Sequence, residues 1–276
     1  MLKLFSVIFI SVLFFAGYRV VVHSEVARKT NSKSQVNQLE KYNSPNLMNL
    51  KGQIQNSIDS RPSLQIGVAI INLKNDEHVS LGVEAPFDAA STNKLLTAIY
   101  LLKRIDDGKE SLSTKVGNHT IQAYLQQMIV DSNNEAWKDL NDYVGRDNLE
   151  IFAKTLGITT YSSATNTIAA NDEAKILASI YSGELSKDSK DKLLGYMAQA
   201  DIKDYIVAAV PAEYKVYHKA GWLKDRVHDA AIIDTGREAF VLVIFSKASG
   251  DYDYSDGQKL FQQITKQTIN AFAGKN

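Results

Sequence analysis

The chain contains no cysteine at all. That excludes disulfides, thiolate metal sites, a cysteine nucleophile and a lipid-modified N-terminal cysteine. It also has no excess of either charge: Lys and Arg together number 31, as do Asp and Glu, so the formal net charge is zero. A nucleic-acid surface needs a basic face, and this balance gives no support for one. No H-E-x-x-H and no glycine-rich phosphate loop occur, so neither a metal site nor a nucleotide cofactor is expected. Proline is scarce, at four residues, and no internal repeat is visible. The apolar fraction of 45% and charged fraction of 22% are ordinary for a globular protein. At 276 residues there is room for one large domain or two small ones.

The start of the chain has a different character. Met1-Leu2-Lys3 precedes an uncharged, mainly apolar run from Leu4 to Gly17, followed by Tyr18, Arg19 and the valines 20 to 22. The run is short of the about 20 residues of a full membrane span, and it suits the core of a signal peptide. Val22-His23-Ser24 is a tolerable cleavage site without being a good A-x-A. If Arg19 snorkels, residues 4 to 22 form an uncleaved anchor instead. Either way, residues 1–23 predict export, to the periplasm or outside the cell. Residues 24–43 are polar and lack an apolar period, so they read as a tether. The expected domain is 44–276.

Within that domain, Ser44-Pro45 reads as a helix start. Leu47, Leu50, Ile54 and Ile58 then place a helix to about Asp59. Gln65 to Leu73 and His78 to Gly82 predict a β-hairpin turning at Asn75-Asp76. Helical segments follow at Leu95–Leu102, Ile121–Val130, Glu135–Val144, Asn148–Leu156, Asn171–Tyr181 and Lys187–Gln199. The stretch from Ile158 to Thr167 reads as loop. Strands return at Tyr214–Leu223, Asp229–Asp234 and Ala239–Ser246, and Ser255 or Asp256 would cap a last helix. The fold predicted is α+β with three layers, αβα. An antiparallel five-stranded sheet would lie between flanking helices, with an all-helical lobe inserted between strands 2 and 3.

Three stretches carry chemistry. Ser91-Thr92-Asn93-Lys94 runs into an apolar helix, and residues three apart share a helix face, so hydroxyl and amine can meet. A helix start favours developing negative charge, and a lysine in apolar surroundings can lose its proton near neutrality. A second S-x-x-K, Ser189 to Lys192, sits in a charged run without apolar support. Ser132-Asn133-Asn134 falls in a break between helices, where a hydroxyl could pass a proton and a side-chain amide could hold a substrate amide; a plain capping turn is the alternative. Ser44-Pro45-Asn46 repeats the S-x-N pattern by chance. His218-Lys219-Ala220-Gly221 lies in a strand, where a lysine and a glycine let an anionic ligand approach the edge; an edge-protecting lysine is the alternative. His218 would point to the opposite face and be structural.

Each stretch alone is weak. In this order, with Ser132 following Ser91 by 41 residues and Lys219 following Ser132 by 87, they are specific. The chain resembles the penicillin-recognising serine hydrolases, and most closely their class A β-lactamase-like branch. The resemblance extends from about Leu64 to about Phe245. It includes Phe87-Asp88-Ala89-Ala90 before the serine, Ile105-Asp106-Asp107-Gly108 after its helix, Met128-Ile129 before Ser132, and His218 before Lys219. It implies Ser91 as acylated nucleophile, Lys94 as base or relay, and Ser132 as proton shuttle. Asn134, Lys219 and Gly221 would bind substrate, and the backbone N–H groups of Ser91 and Trp222 would form the oxyanion hole. Substrates would be a small β-lactam or a peptidoglycan peptide, with no cofactor, and the protein is expected to be a monomer.

The departures are equally specific. Asn133 stands where class A enzymes have Asp, and Ala220 replaces the usual Thr or Ser. Residues 158 to 170 contain no carboxylate, where class A enzymes hold a deacylating glutamate. Glu173 belongs to the next helix, so it or Asp172 would have to reach back to serve. The expectation is slow hydrolysis of an acyl-enzyme. The alternatives are a D-Ala-D-Ala carboxypeptidase or penicillin-binding protein, or a cell-wall binding module without turnover.

Overall fold

A computed structural model describes residues 45–183 and 185–273. The expected leader, the polar tether and the Ser44 cap lie outside the described residues. Among the described residues, no helix is long and apolar enough to cross a membrane. Residues 49–276 form one compact unit, which contains every element discussed below apart from the first turn of helix α1.

In chain order, α1 (Pro45–Asp59) leads to the hairpin β1 (Leu64–Asn72) and β2 (His78–Gly82), then a short β3 (Phe87–Asp88). Helix α2 (Lys94–Asp106) opens the helical lobe, followed by β4 (Lys115–Val116) and β5 (His119–Thr120). Next come α3 (Ile121–Val130), α4 (Asn134–Val144), α5 (Arg146–Thr155), β6 (Thr167–Ile168), α6 (Ala170–Ser182) and α7 (Lys187–Gln199). A single 3₁₀ turn at Val207–Ala209 precedes β7 (Lys215–Leu223), β8 (Arg226–Asp234), β9 (Ala239–Ala248) and the terminal α8 (Tyr254–Ala273).

The main sheet is antiparallel throughout, in the order β2-β1-β9-β8-β7. Its central strand β9 contains Phe240-Val241-Leu242-Val243-Ile244-Phe245, every one fully buried. A continuous apolar strand, without alternation, means that both faces are covered. Helix α6 packs on β1, β8 and β9, while α1 and α8 are joined by the Arg61–Asp256 ion pair and the Ser57–Gln267 contact. The predicted α+β layering and the lobe inserted between the second and third strands of this sheet are both present.

The differences are local. The last helix begins at Tyr254, two or three residues earlier than a cap at Ser255 or Asp256 implies, because Asp253 is its cap: its carboxylate accepts from the N–H groups of Ser255 and Asp256 at 3.0 and 3.1 Å. Strand β8 starts at Arg226, since Leu223 pairs with Arg226 across a tight turn. The stretch predicted as loop from 158 to 167 ends in β6, which pairs with β3 (Phe87↔Ile168, Asp88↔Thr167).

Candidate active site

The nucleophile turn is built before its helix begins. Asp88 accepts the Ala90 N–H at 3.1 Å, and Ala89 O accepts both the N–H and the hydroxyl of Thr92, at 3.1 and 3.0 Å. Ala90 is forced to φ +50°, a left-handed conformation that a residue with a Cβ holds only when its surroundings impose it. Ser91 therefore stands in a sharp turn ahead of α2, rather than inside its first α-helical turn. Leu95, Leu96, Ala98, Ile99, Leu101 and Leu102 then bury α2 in the lobe, and Gly108, at φ +70°, follows its end.

Lys94 is completely buried, and its amine donates into a ring of oxygens. The ring comprises Ser91 Oγ at 3.1 Å, Asn134 Oδ1 at 2.8 Å, Ser132 O at 2.5 Å and Ser132 Oγ at 3.3 Å. Ser132 reaches this position through a φ of +54°. Between Ser132 and Asn134, Asn133 caps α4 by accepting the Ala136 N–H at 2.9 Å. The tripeptide is thus a capping turn that also faces the lysine. Its middle residue is a cap, and its outer two face the lysine.

Lys219, 1% exposed, approaches from β7 and donates to Ser132 Oγ at 3.0 Å and to Ala220 O at 3.2 Å. The Ser132 hydroxyl thus lies between two amines. Burial first, and then the Lys219 charge, bring Lys94 down to about 7; nearby Asp201 opposes this. Burial brings Lys219 down to about 8 against the pull of Asp201 and Asp229. Near neutrality, one amine can be neutral while the other stays charged.

Gly221 lets β7 close on the nucleophile. A Cβ there would meet Ser91 N at 2.5 Å and Ala90 Cβ at 3.0 Å, so only glycine fits. Trp222 follows, 47% exposed. His218 takes no part: it is buried, and its Nδ1 contacts Asp229 Oδ1 at 3.0 Å. Asp229 Oδ2 also accepts the Ile206 N–H at 3.1 Å.

The carboxylates near the loop are occupied elsewhere. Asp172 binds the loop and Lys175: it accepts the N–H groups of Thr159 and Thr160 and the Thr160 hydroxyl, each at 2.8 Å, and Lys175 at 2.6 Å. Glu173 is fully buried in α6 with no hydrogen-bond partner on either oxygen, and burial pushes its carboxyl up to about 8. Among the described residues, no carboxylate hydrogen-bonds to Ser91, Lys94, Ser132 or Lys219. What the loop does bring to the nucleophile turn is an amide that sequence reasoning missed. Asn166, at φ +51°, donates to Ala90 O at 3.0 Å and accepts from Asn93 Nδ2 at 2.9 Å, and its carbonyl accepts the Ala89 N–H at 2.8 Å. The only local signal was an asparagine, tolerant of left-handed backbone, flanked by threonines.

Ser91, Lys94, Ser132, Asn134, Lys219 and Gly221 thus converge from three separated stretches. Solved structures share the architecture. PBP-A is 24% identical, over 83% of this chain and 97% of its own, with a TM-score of 0.76. A PBP-A mutant in acyl-enzyme complex with penicillin G is also 24% identical, over 83% and 98%, with a TM-score of 0.75. A β-lactamase from Sphaerobacter thermophilus is 20% identical, over 82% and 98%, with a TM-score of 0.72. At such identities the likeness speaks for the fold. Comparison with curated protein sequences gives no match. A family model described as the beta-lactamase enzyme family matches residues 49–272, and on that match the chain belongs to this family of serine hydrolases acting on amide bonds.

Proposed function

We propose that this protein is an exported active-site serine hydrolase that is acylated by β-lactams and releases the product slowly. The observation that carries the reading is the Lys94 amine, buried, near neutral, and 3.1 Å from Ser91 Oγ. In its neutral form Lys94 takes the Ser91 proton as Oγ attacks the lactam carbonyl. The negative oxygen that develops is held by the Ser91 and Trp222 N–H groups, a type of donor worth roughly 10²–10³ in rate each. Ser132 gives its proton to the departing nitrogen as the C–N bond breaks, and regains one from Lys94. The proton that leaves Ser91 thus ends on the product amine. Asn134 holds the substrate side-chain amide, and the Lys219 ammonium attracts its carboxylate.

Deacylation needs a water and a base. Glu173 is buried without partners and Asp172 is tied to the loop, so neither supplies the base. This supports a long-lived acyl-enzyme, and the PBP-A mutant, similar in fold, is itself an acyl-enzyme complex with penicillin G. The carboxylate-free loop equally favours a second reading, a D-Ala-D-Ala carboxypeptidase of the cell wall. A non-catalytic binding module has no need of a buried lysine within reach of a serine. The apolar N-terminal run supports export.

The test is to label the full-length protein with a fluorescent penicillin and map the modified peptide. Label on the Ser91 peptide, absent in Ser91→Ala, is expected; label elsewhere, or none, contradicts the reading. Release of D-alanine from a D-Ala-D-Ala peptide separates the second reading from the first.

A further inference from the structure

One helical turn beyond Lys94 on α2 is Thr97, and one turn beyond Asn134 on α4 is Trp137, with Asn141 a further turn on. Residues at these spacings share a face, so the two helices that meet at Lys94 and Asn134 meet again below. There Trp137 Nε1–H donates to Thr97 Oγ1 at 3.1 Å, and the Thr97 hydroxyl donates to Asn141 Oδ1 at 2.8 Å. Thr97 and Asn141 are buried in this seam, on two helices whose other buried residues, Lys94 apart, are all apolar. The Trp137 ring, fixed by its N–H, lies 5.8 Å from Lys94 Nζ, within range of a cation–π contact.

Aliphatic side chains would hold two helices together as firmly. A satisfied buried polar chain adds a single register, because sliding either helix leaves a donor unpaired. The register fixed here is the one that sets Asn134 Oδ1 and the Trp137 ring against Lys94. We propose that Thr97, Trp137 and Asn141 are positioning residues for the acylation reaction, locking α2 to α4 so that the Lys94 amine stays aimed at Ser91. This rests on the acylation reading above. The charged groups acting on Lys94 from other elements are Lys219 of β7 and Asp201 after α7, and neither belongs to the seam.

The test uses the full-length protein with Thr97→Val, which keeps the shape and removes the hydroxyl, and Thr97→Ser, which keeps the hydroxyl. Two readouts are taken: the pH dependence of penicillin acylation, and the titration of Lys94 by NMR with lysine labelled at Cε. In Thr97→Val the ring loses its anchor and the ammonium its aromatic face. The Lys94 transition should then move down by about half a pH unit, and the acylation plateau should fall about tenfold. Thr97→Ser should restore both. A Thr97→Val protein whose Lys94 titration and pH profile match the wild type overturns the proposal, whatever its stability. If Thr97→Val does not fold, Trp137→Phe keeps a ring without the N–H, and the same two readouts decide. If the wild type is not acylated at all, the functional reading fails, while the NMR titration still decides the seam.

Discussion

Lys94 and Lys219 share the Ser132 hydroxyl, at 3.3 and 3.0 Å, and the proposed mechanism needs them in opposite protonation states. Lys94 must be neutral to accept a proton, which requires a pH above about 7. Lys219 must be charged to attract a carboxylate, which requires a pH below about 8. The second-order rate constant for acylation should therefore follow a narrow bell centred between these values, and a stopped-flow pH series reads it. A rate that is flat from pH 5 to 9 contradicts the assignment. Gly221 gives a second test at this scale. A methyl there would press on Ser91 N and force the nucleophile turn or β7 to shift, so Gly221→Ala should lose about 10²–10³ in acylation rate. Most of the site was legible because its residue types are chemically restrictive and occur in three stretches, each in a suitable element. Asn166 was not, since its contacts depend on Asn93 and Ala90, brought together by the β3–β6 pairing.

Helix α6 carries an internal conflict of its own. Its first turn holds two carboxylates, Asp172 and Glu173, which a helix start favours. Asp172 uses that position to anchor the preceding loop. Glu173 instead faces the interior, neutral when folded, with its carboxyl raised from 4.5 to about 8. The folded state holds this proton more tightly than the unfolded state. The contribution of this group to stability is therefore full below pH about 4.5 and is lost as the pH rises towards 8. Glu173→Gln should change little at pH 5 and be more stable than wild type at pH 9, by something on the order of 3 kcal/mol. Urea unfolding at the two pH values checks this, and equal gains at both would refute it. Helices and long strands were legible in the sequence, as Lys187–Gln199 and Lys215–Leu223 illustrate. Strands β3 and β6, two residues each, have no period to read, and only the fold pairs them.

At the scale of the whole molecule, the sheet and the helical lobe form the two sides of the site. The sheet contributes Lys219 and Gly221 from its edge strand β7. The lobe contributes Ser91 from the turn before α2, Lys94 from the start of α2, Ser132 from the α3–α4 break and Asn134 from the start of α4. Element order and the covered sheet could be foreseen from the apolar run of β9 and the clustering of helices between strands. The closeness of β7 to the Ser91 turn could not be read from spacing, because it rests on a glycine too small to leave a periodic signal.

The central claim is an acyl-enzyme on Ser91 that outlives its formation for want of a base. Intact mass of the full-length protein, followed over hours after mixing with penicillin G, tests it most directly, with Ser91→Ala in parallel. A single adduct that forms quickly, persists after free drug is removed and is absent from Ser91→Ala is the predicted result. An adduct that vanishes within seconds while the drug is consumed would contradict it, and so would no adduct at all.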